Sequence, residues 1–381
     1  MKTLLAGALM LGAALSFPAE LRENEIAAWI AAQGGKSARD RAGRLVVVDL
    51  TSAWITDADL ARISRLSRLQ KLDLSHAKIT DLGLEHLKRL ENVIELDCYY
   101  AEYLTDDGIA HLKGWRRLEH LNLRGTKVSS KVFEHLAGLT NLKSLDVAFT
   151  EVDDDGFEHL APLNRLERLA IGGNRLTGSA LILLKLLPSL THLDVSGMQR
   201  VDSGLWGLPL TDTNLERVGA LTELRVLDLS DANLADRGLD RPGSPLAERA
   251  DLRELSRLRG LVNLQTLDLS RTPVSGRALE ALGTLPSLRE LRLGLAGNID
   301  DTAVPALLAM KQVEALYLTG TGVTDNALDQ FREMKQLKKL HVGGTKVTAE
   351  GVERFRQARP DCKVIWWEKP PAPASEKKAA P

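Results

Sequence analysis

Aromatic side chains make up only 4% of this 381-residue chain, cysteine occurs twice, and the formal net charge is −1. Each scarcity excludes something. Two thiols cannot build the framework that holds a small disulfide-rich domain together. Fifty basic against fifty-one acidic residues give no electrostatic reason to expect nucleic acid or an anionic membrane as a partner. No stretch beyond the N-terminal segment is apolar over the length a bilayer requires, so no integral membrane span is expected. Catalytic signatures are missing too: G-x-S-x-G, a Walker loop, H-E-x-x-H and C-x-x-C do not occur. These absences point away from an enzyme, a metal and a cofactor. The remaining composition, 44% hydrophobic and 27% charged with a mean hydropathy of −0.13, is that of an ordinary soluble protein.

Residues 1–19 read as a signal peptide. Lys2 supplies the positive end, Leu4 to Leu15 form an apolar run of twelve, and Ala14-Leu15-Ser16 resembles a small-x-small cleavage site. Phe17-Pro18-Ala19 is a poorer second site. Twelve apolar residues are too few to cross ~30 Å of hydrocarbon as a helix. The expected destination is therefore secreted or periplasmic.

What the chain has in quantity is leucine at a fixed spacing. An opening apolar residue recurs at Leu69, Val93, Leu118, Leu142, Leu166, Leu190, Leu224, Leu264, Leu288, Val313 and Leu337. The steps are 24 or 25 residues except for one of 34 and one of 40, and a degenerate first copy begins near Leu45. Each unit has two halves with different periods. L-x-x-L-x-L alternates as a short strand, with Leu72 and Leu74 inward and Lys71, Asp73 and Ser75 outward. A Thr-Asp pair follows, then apolar residues at helical spacing; Thr56, Thr80, Thr105, Thr324 and Thr348 stand where an N-cap is wanted. One strand and one helix cannot bury their apolar faces alone, so neighbouring units must stack.

These residues resemble the leucine-rich repeats of the short bacterial branch, GALA-like or cysteine-containing-like. The matching motif is L-x-x-L-x-L-x-x-[T/N/A]-x-[V/I/L]-[T/D]-D-x-G-L-x-x-L over residues 45–357. The resemblance implies an α/β solenoid of about twelve repeats, a right-handed superhelix with parallel strands on the concave face and helices on the convex face. The Asn usual at the strand-ending slot occurs only as Asn174; Thr126, Thr150, Thr272, Thr321, Thr345 or Ala replace it elsewhere. A hydroxyl bonds local backbone but cannot complete an amide ladder. Residues 20–44 are expected as a capping helix, residues 358–367 as a closing strand, and 368–381, rich in Pro, Ala and Lys, as a disordered tail. Such stacking would put Cys98 and Cys362 about ten turns apart, or ~50 Å, too far for a disulfide.

Four features are candidates for function. The central outward strand position reads Asp49, Asp73, Asp97, Asn122, Asp146, Ala170, Asp194, Asp228 and Asp268, then Arg292, Tyr317 and His341. A carboxylate row ~5 Å apart suits a cationic partner, yet neighbours repel by under ~1 kcal/mol in water, so it is tolerable without one. His86, His111, His135 and His159 repeat one helix slot, but no two share a helix at i, i+4, and no metal site is expected. Tyr99, Tyr100 and Tyr103 are three of only four tyrosines, and Tyr99 should point out onto the concave face near His120 and Arg124, with Phe149 beyond. Tyr and Arg grouped on a surface match binding hot spots. Finally, insertions near 199–209, carrying Trp206, and near 236–251 should emerge on one rim. The reading that follows is a monomeric, non-enzymatic recognition module for a protein or glycan. A ligase-type accessory and a structural envelope protein are the alternatives.

Overall fold

The computed structural model describes residues 19–201, 204–232 and 255–368. Residues 1–18 of the segment read as a signal peptide, the 236–251 insertion and all but the first residue of the tail lie outside the described residues. No helix among the described residues is long and apolar enough to cross a membrane.

Fourteen strands form one open sheet in strict sequence order. From Leu45–Asp49 to Lys363–Ile365 they run parallel, each one turn of chain after the last, with short α- and 3₁₀-helical segments returning the chain on the opposite side. The inward leucines are in register, so that Leu72, Leu96, Leu121, Leu145, Leu169 and Leu193 stack at 1–2% exposure. A buried leucine contributes about 1.5–3 kcal/mol by leaving water. No strand reaches it alone, because the strands are only three residues long in most turns.

The ends need their own solutions. The expected N-terminal capping helix is Ala19–Ala32, but residues 36–39 add an antiparallel strand that pairs with Leu45–Asp49. A helix alone would cover the apolar end and leave a row of unpaired backbone groups on the first parallel strand, which the extra strand satisfies. At the far end, Arg359 is 4% exposed. Its guanidinium donates to the carbonyls of Met334 at 2.7 Å and Leu337 at 2.9 Å and to Asp361 at 2.8 Å, so the buried charge is fully engaged.

The Thr-Asp-x-Gly motif does more than cap helices. Several of its aspartates join the following turn: Asp57 accepts the N–H and hydroxyl of Thr80 at 2.7 Å each, and Asp81 accepts those of Thr105 at 2.8 and 2.7 Å. Asp301 with Thr324 and Asp325 with Thr348 repeat the arrangement. The motif glycine leaves room for that carboxylate. A Cβ on Gly83 would stand 2.6 Å from Asp57 Oδ1. Inside each strand-ending turn, Thr126, Thr150, Thr272, Thr321 and Thr345 donate to the carbonyl three residues earlier at 2.6–2.7 Å. Asn174 alone spans two turns, donating to Val147 and Ile171 and accepting from Thr150.

Gly→Ala in a helix ordinarily stabilises by up to ~1 kcal/mol. Here Gly83→Ala should instead destabilise by about 1–3 kcal/mol, because the new methyl displaces Asp57 from Thr80. A urea midpoint at or above that of the parent would show that the carboxylate staple is dispensable.

Candidate functional site

The acidic row stands on the concave face in the expected register, Asp49 beside Asp73 and onward to Asp268. Its carboxylates are already employed. Oδ1 of Asp49, Asp73, Asp97, Asp146, Asp194, Asp228 and Asp268 each accepts the backbone N–H two residues on, at 2.8–3.0 Å. Asn122 does the same for Arg124 at 3.0 Å. Aspartate thus recurs because it closes the turn that ends each strand, and the row needs no bound cation to explain it. Among the described residues no group of three or more His, Cys, Asp or Glu is placed to hold a metal ion. His86, His111, His135 and His159 stand one per turn. Cys98 and Cys362 are buried, free and ten strands apart; burial pushes the Cys98 thiol far above its ordinary range and that of Cys362 up to about 11.

Three residues beyond the central outward column the backbone turns left-handed. Ser52, His76, Tyr100, Phe149, Asp231, Arg271 and Leu295 have φ between 51° and 58°, and glycines fill the same slot at 125, 173, 197, 320 and 344. A large side chain there lies along the strand ends, over the next turn's slot, and glycine in that slot makes its seat. A Cβ on Gly125 would stand 2.9 Å from the Tyr100 ring, and Cβ atoms on Gly173 and Gly197 would stand 2.8 and 2.6 Å from Phe149. The sequence reading had not assigned this conformation to Tyr100 or Phe149. The alternation of a ring with glycine one repeat later was the available signal.

Two half-buried clusters result. In the first, Tyr99 meets Tyr100 edge-on at 4.7 Å between centroids, and His76 adds an edge contact with Tyr99 at 5.2 Å and a stack on Tyr100 at 5.9 Å. In the second, the Arg124 guanidinium lies 4.6 Å over the Phe149 ring, 3.5 Å from Asp146 and 3.7 Å from Asp194. Ala170 leaves the gap through which Arg124 reaches Asp194. The clusters adjoin: the Tyr100 N–H donates to the Arg124 carbonyl at 2.7 Å. His120 stands elsewhere, in the first outward column between Glu95 and Ser144. Trp206 lies on a rim hairpin, Gln199–Val201 against Gly204–Trp206, with Arg175 at 5.0 Å over its ring.

The sequence reading also missed a cluster nearer the C-terminus. Arg292 bridges Glu290 at 2.6 Å and Asp268 at 3.7 Å and faces Tyr317 at 5.3 Å. Tyr317 stacks on His341 at 4.3 Å, and the Lys339 ammonium bonds its hydroxyl at 2.9 Å. The central column therefore changes from carboxylates to cations and rings after Asp268. Arg292, Tyr317 and His341 were legible as that change, but not as one contact network.

A leucine-rich-repeat family model matches residues 67–88, 138–161 and 220–240. With the parallel ladder and stacked leucines, this decides the architecture. The chain folds as a leucine-rich-repeat solenoid. A solved internalin from Listeria monocytogenes superposes over 91% of this chain and 94% of its own, with a TM-score of 0.56 at 16% identity. A leucine-rich-repeat protein of Leptospira interrogans aligns over 80% of this chain and 91% of its own at 17% identity, with a TM-score of 0.40. A plant peptide hormone receptor aligns over 87% of this solenoid and 52% of its own chain at 14% identity, with a TM-score of 0.46. No curated protein matches the sequence.

Burial raises the carboxyl of Asp146 above its ordinary value, against the opposing pull of the Ala148 N–H and Arg124. A folded-state pKa above the unfolded one gives stability that is present below the ordinary value of 3.8 and lost as pH rises through the folded value. Asn122 shows that an amide keeps the turn-closing bond. Asp146→Asn should therefore match the parent in urea midpoint near pH 3 and exceed it near pH 7. An equal midpoint difference at both pH values would show that the Asp146 charge costs nothing.

Proposed function

We propose that the solenoid is an exported, non-enzymatic recognition module that binds a partner protein on its concave face, centred on Tyr99, Arg124 and Phe149. The observation that carries this reading is the holding of Arg124. Its guanidinium is fixed between a ring and two carboxylates, and that ring is itself seated on two glycines. Side chains ordered before binding lose less entropy when a partner arrives. Tyrosine and arginine in this setting are the residues that anchor protein interfaces. The partly desolvated carboxylates of Asp146 and Asp228, both raised by burial, favour a partner that brings a cation to the acidic row. The 24-residue period and the Thr-Asp-x-Gly staple support a place in the GALA-like branch, and the export reading rests on Lys2, the apolar run and Ala14-Leu15-Ser16.

In-situ crosslinking with mass spectrometry on the exported protein identifies the partner. Tyr99→Ala with Arg124→Ala should then weaken capture by ~2 kcal/mol or more and leave the melting temperature nearly unchanged. Capture that survives this pair but fails with Trp206→Ala would move the interface to the rim; survival of both would favour a structural envelope role. N-terminal sequencing of the mature protein should begin between Phe17 and Glu20, and an intact Met1 on protein recovered from the cytosol would sink the export reading.

A further inference from the structure

The rim where strands lead into helices carries a second pattern, separate from the concave face. In successive turns a buried small residue, Ala53, Ala77, Ala101, Thr126, Thr150 or Asn174, is followed by residues that point out to solvent. Those outward residues pair an aromatic ring with a cation from an adjacent turn. The Lys78 ammonium lies 5.5 Å from the Trp54 ring, Lys127 lies 5.9 Å from Tyr103, and the Arg175 guanidinium lies 5.0 Å from Trp206. Trp54 is 84% exposed and Tyr103 50%, in a chain with few aromatics to spare. Nothing in the core needs them. The rim is also stiff: the N–H groups of Lys127, Glu151 and Arg175 donate to Leu104, Val128 and Val152 of the preceding turns, each at 2.9 Å. Successive rim positions therefore advance by one strand spacing, ~4.8 Å. Counting from Leu45, rings occupy turns one, three and seven and cations turns two, four and six. Glu151 takes the fifth, and Glu102 adjoins Tyr103.

We propose that this rim binds a linear acidic polysaccharide, one built of uronic-acid sugars. An extended pyranose chain advances by about one turn of the solenoid per sugar, so rings and carboxylates along it meet rings and cations along the rim in alternation. The C–H face of a pyranose carries the partial positive charge that an aromatic face attracts, by the same electrostatics that place the cations there now. Those cations decide between charged and neutral sugars. A neutral glycan would have to displace each ammonium from its ring and offer it no counter-charge. A uronate takes the cation as its own partner and leaves the ring face to the sugar. A flat anionic bilayer fits less well, since it would press Glu102 and Glu151 against like charge, whereas a polymer with spaced carboxylates passes between them. The proposal is independent of the concave-face reading and uses none of its residues.

Affinity electrophoresis of the whole protein through gels containing polygalacturonate, at low salt, tests it. The methyl-esterified polymer serves as the uncharged control and phosphatidylserine vesicles as the planar anion. Retardation by polygalacturonate alone is expected, weakened at least tenfold by Trp54→Ala with Tyr103→Ala and equally by Lys78→Gln with Lys127→Gln. Tyr99→Ala with Arg124→Ala should leave it unchanged, and thermal melts should confirm that all variants fold. No retardation, equal retardation by the esterified polymer, or undiminished binding by the Trp54/Tyr103 variant would overturn the assignment. Vesicle binding lost in that variant without retardation by the polymer would overturn it in favour of a membrane surface.

Discussion

Everything in this molecule hangs on the alignment of one turn with the next. A parallel ladder three residues wide gives too few backbone bonds to specify register, and a slip of one residue would turn every inward leucine to solvent. Three further sets of contacts remove that freedom. Inward leucines stack on leucines, Asp57, Asp81, Asp301 and Asp325 hold the Thr of the following turn, and in the turns ending with Thr126, Thr150, Asn174, Thr272, Thr321 or Thr345 a buried hydroxyl or amide satisfies a strand-ending carbonyl. None has much strength alone. Repetition makes them additive along the stack, which is how a solenoid without a single central core becomes stable.

That alignment also sets what the surface can display. Side chains at equivalent positions are forced into columns one strand spacing apart, so a property placed in one column becomes a line. The carboxylate column is such a line, and its regularity comes from closing each turn. The left-handed slot beside it is another. Where the chain places a ring in that slot and glycine one turn later, as with Tyr100 over Gly125 and Phe149 over Gly173, the ring lies down and becomes part of a floor. Arg124 can then settle on that floor with carboxylates on its other side. The residues proposed for recognition are exceptions written into columns that otherwise serve the fold.

The repeat period, the alternation of inward and outward residues, the strand register and the isolation of the two cysteines could all be read before any coordinate was known. They depend on spacing along the chain, and in a stacked fold spacing along the chain is position in space. The candidate face was legible to the same extent: Tyr99, Arg124 and the acidic row stand in the columns that counting assigns them. Less visible were the antiparallel strand at the N-terminal edge and the buried cap at Arg359, because each answers a need of the whole stack rather than a local pattern. The use of the motif aspartates as staples was hidden for a related reason. An Asp in the first turn of a helix already has a local explanation in the helix dipole, so nothing in the sequence calls for a partner twenty-three residues away.

What the sequence determined by itself is therefore the architecture and the column to which each residue belongs, since both follow from periodicity. Only the tertiary structure decided which neighbours in those columns touch. Arg124 reaches past Ala170 to Asp194 instead of extending toward Tyr99, and His120 stands across the acidic row from both. Lys78, Lys127 and Arg175 fold onto rings in adjacent turns, and Tyr317, Lys339 and His341 close into one network. Those choices depend on side-chain length, on the room left by small residues in adjacent turns and on the left-handed turn that lays a ring flat. Such quantities exist only once the turns are stacked, and a period along the chain does not contain them.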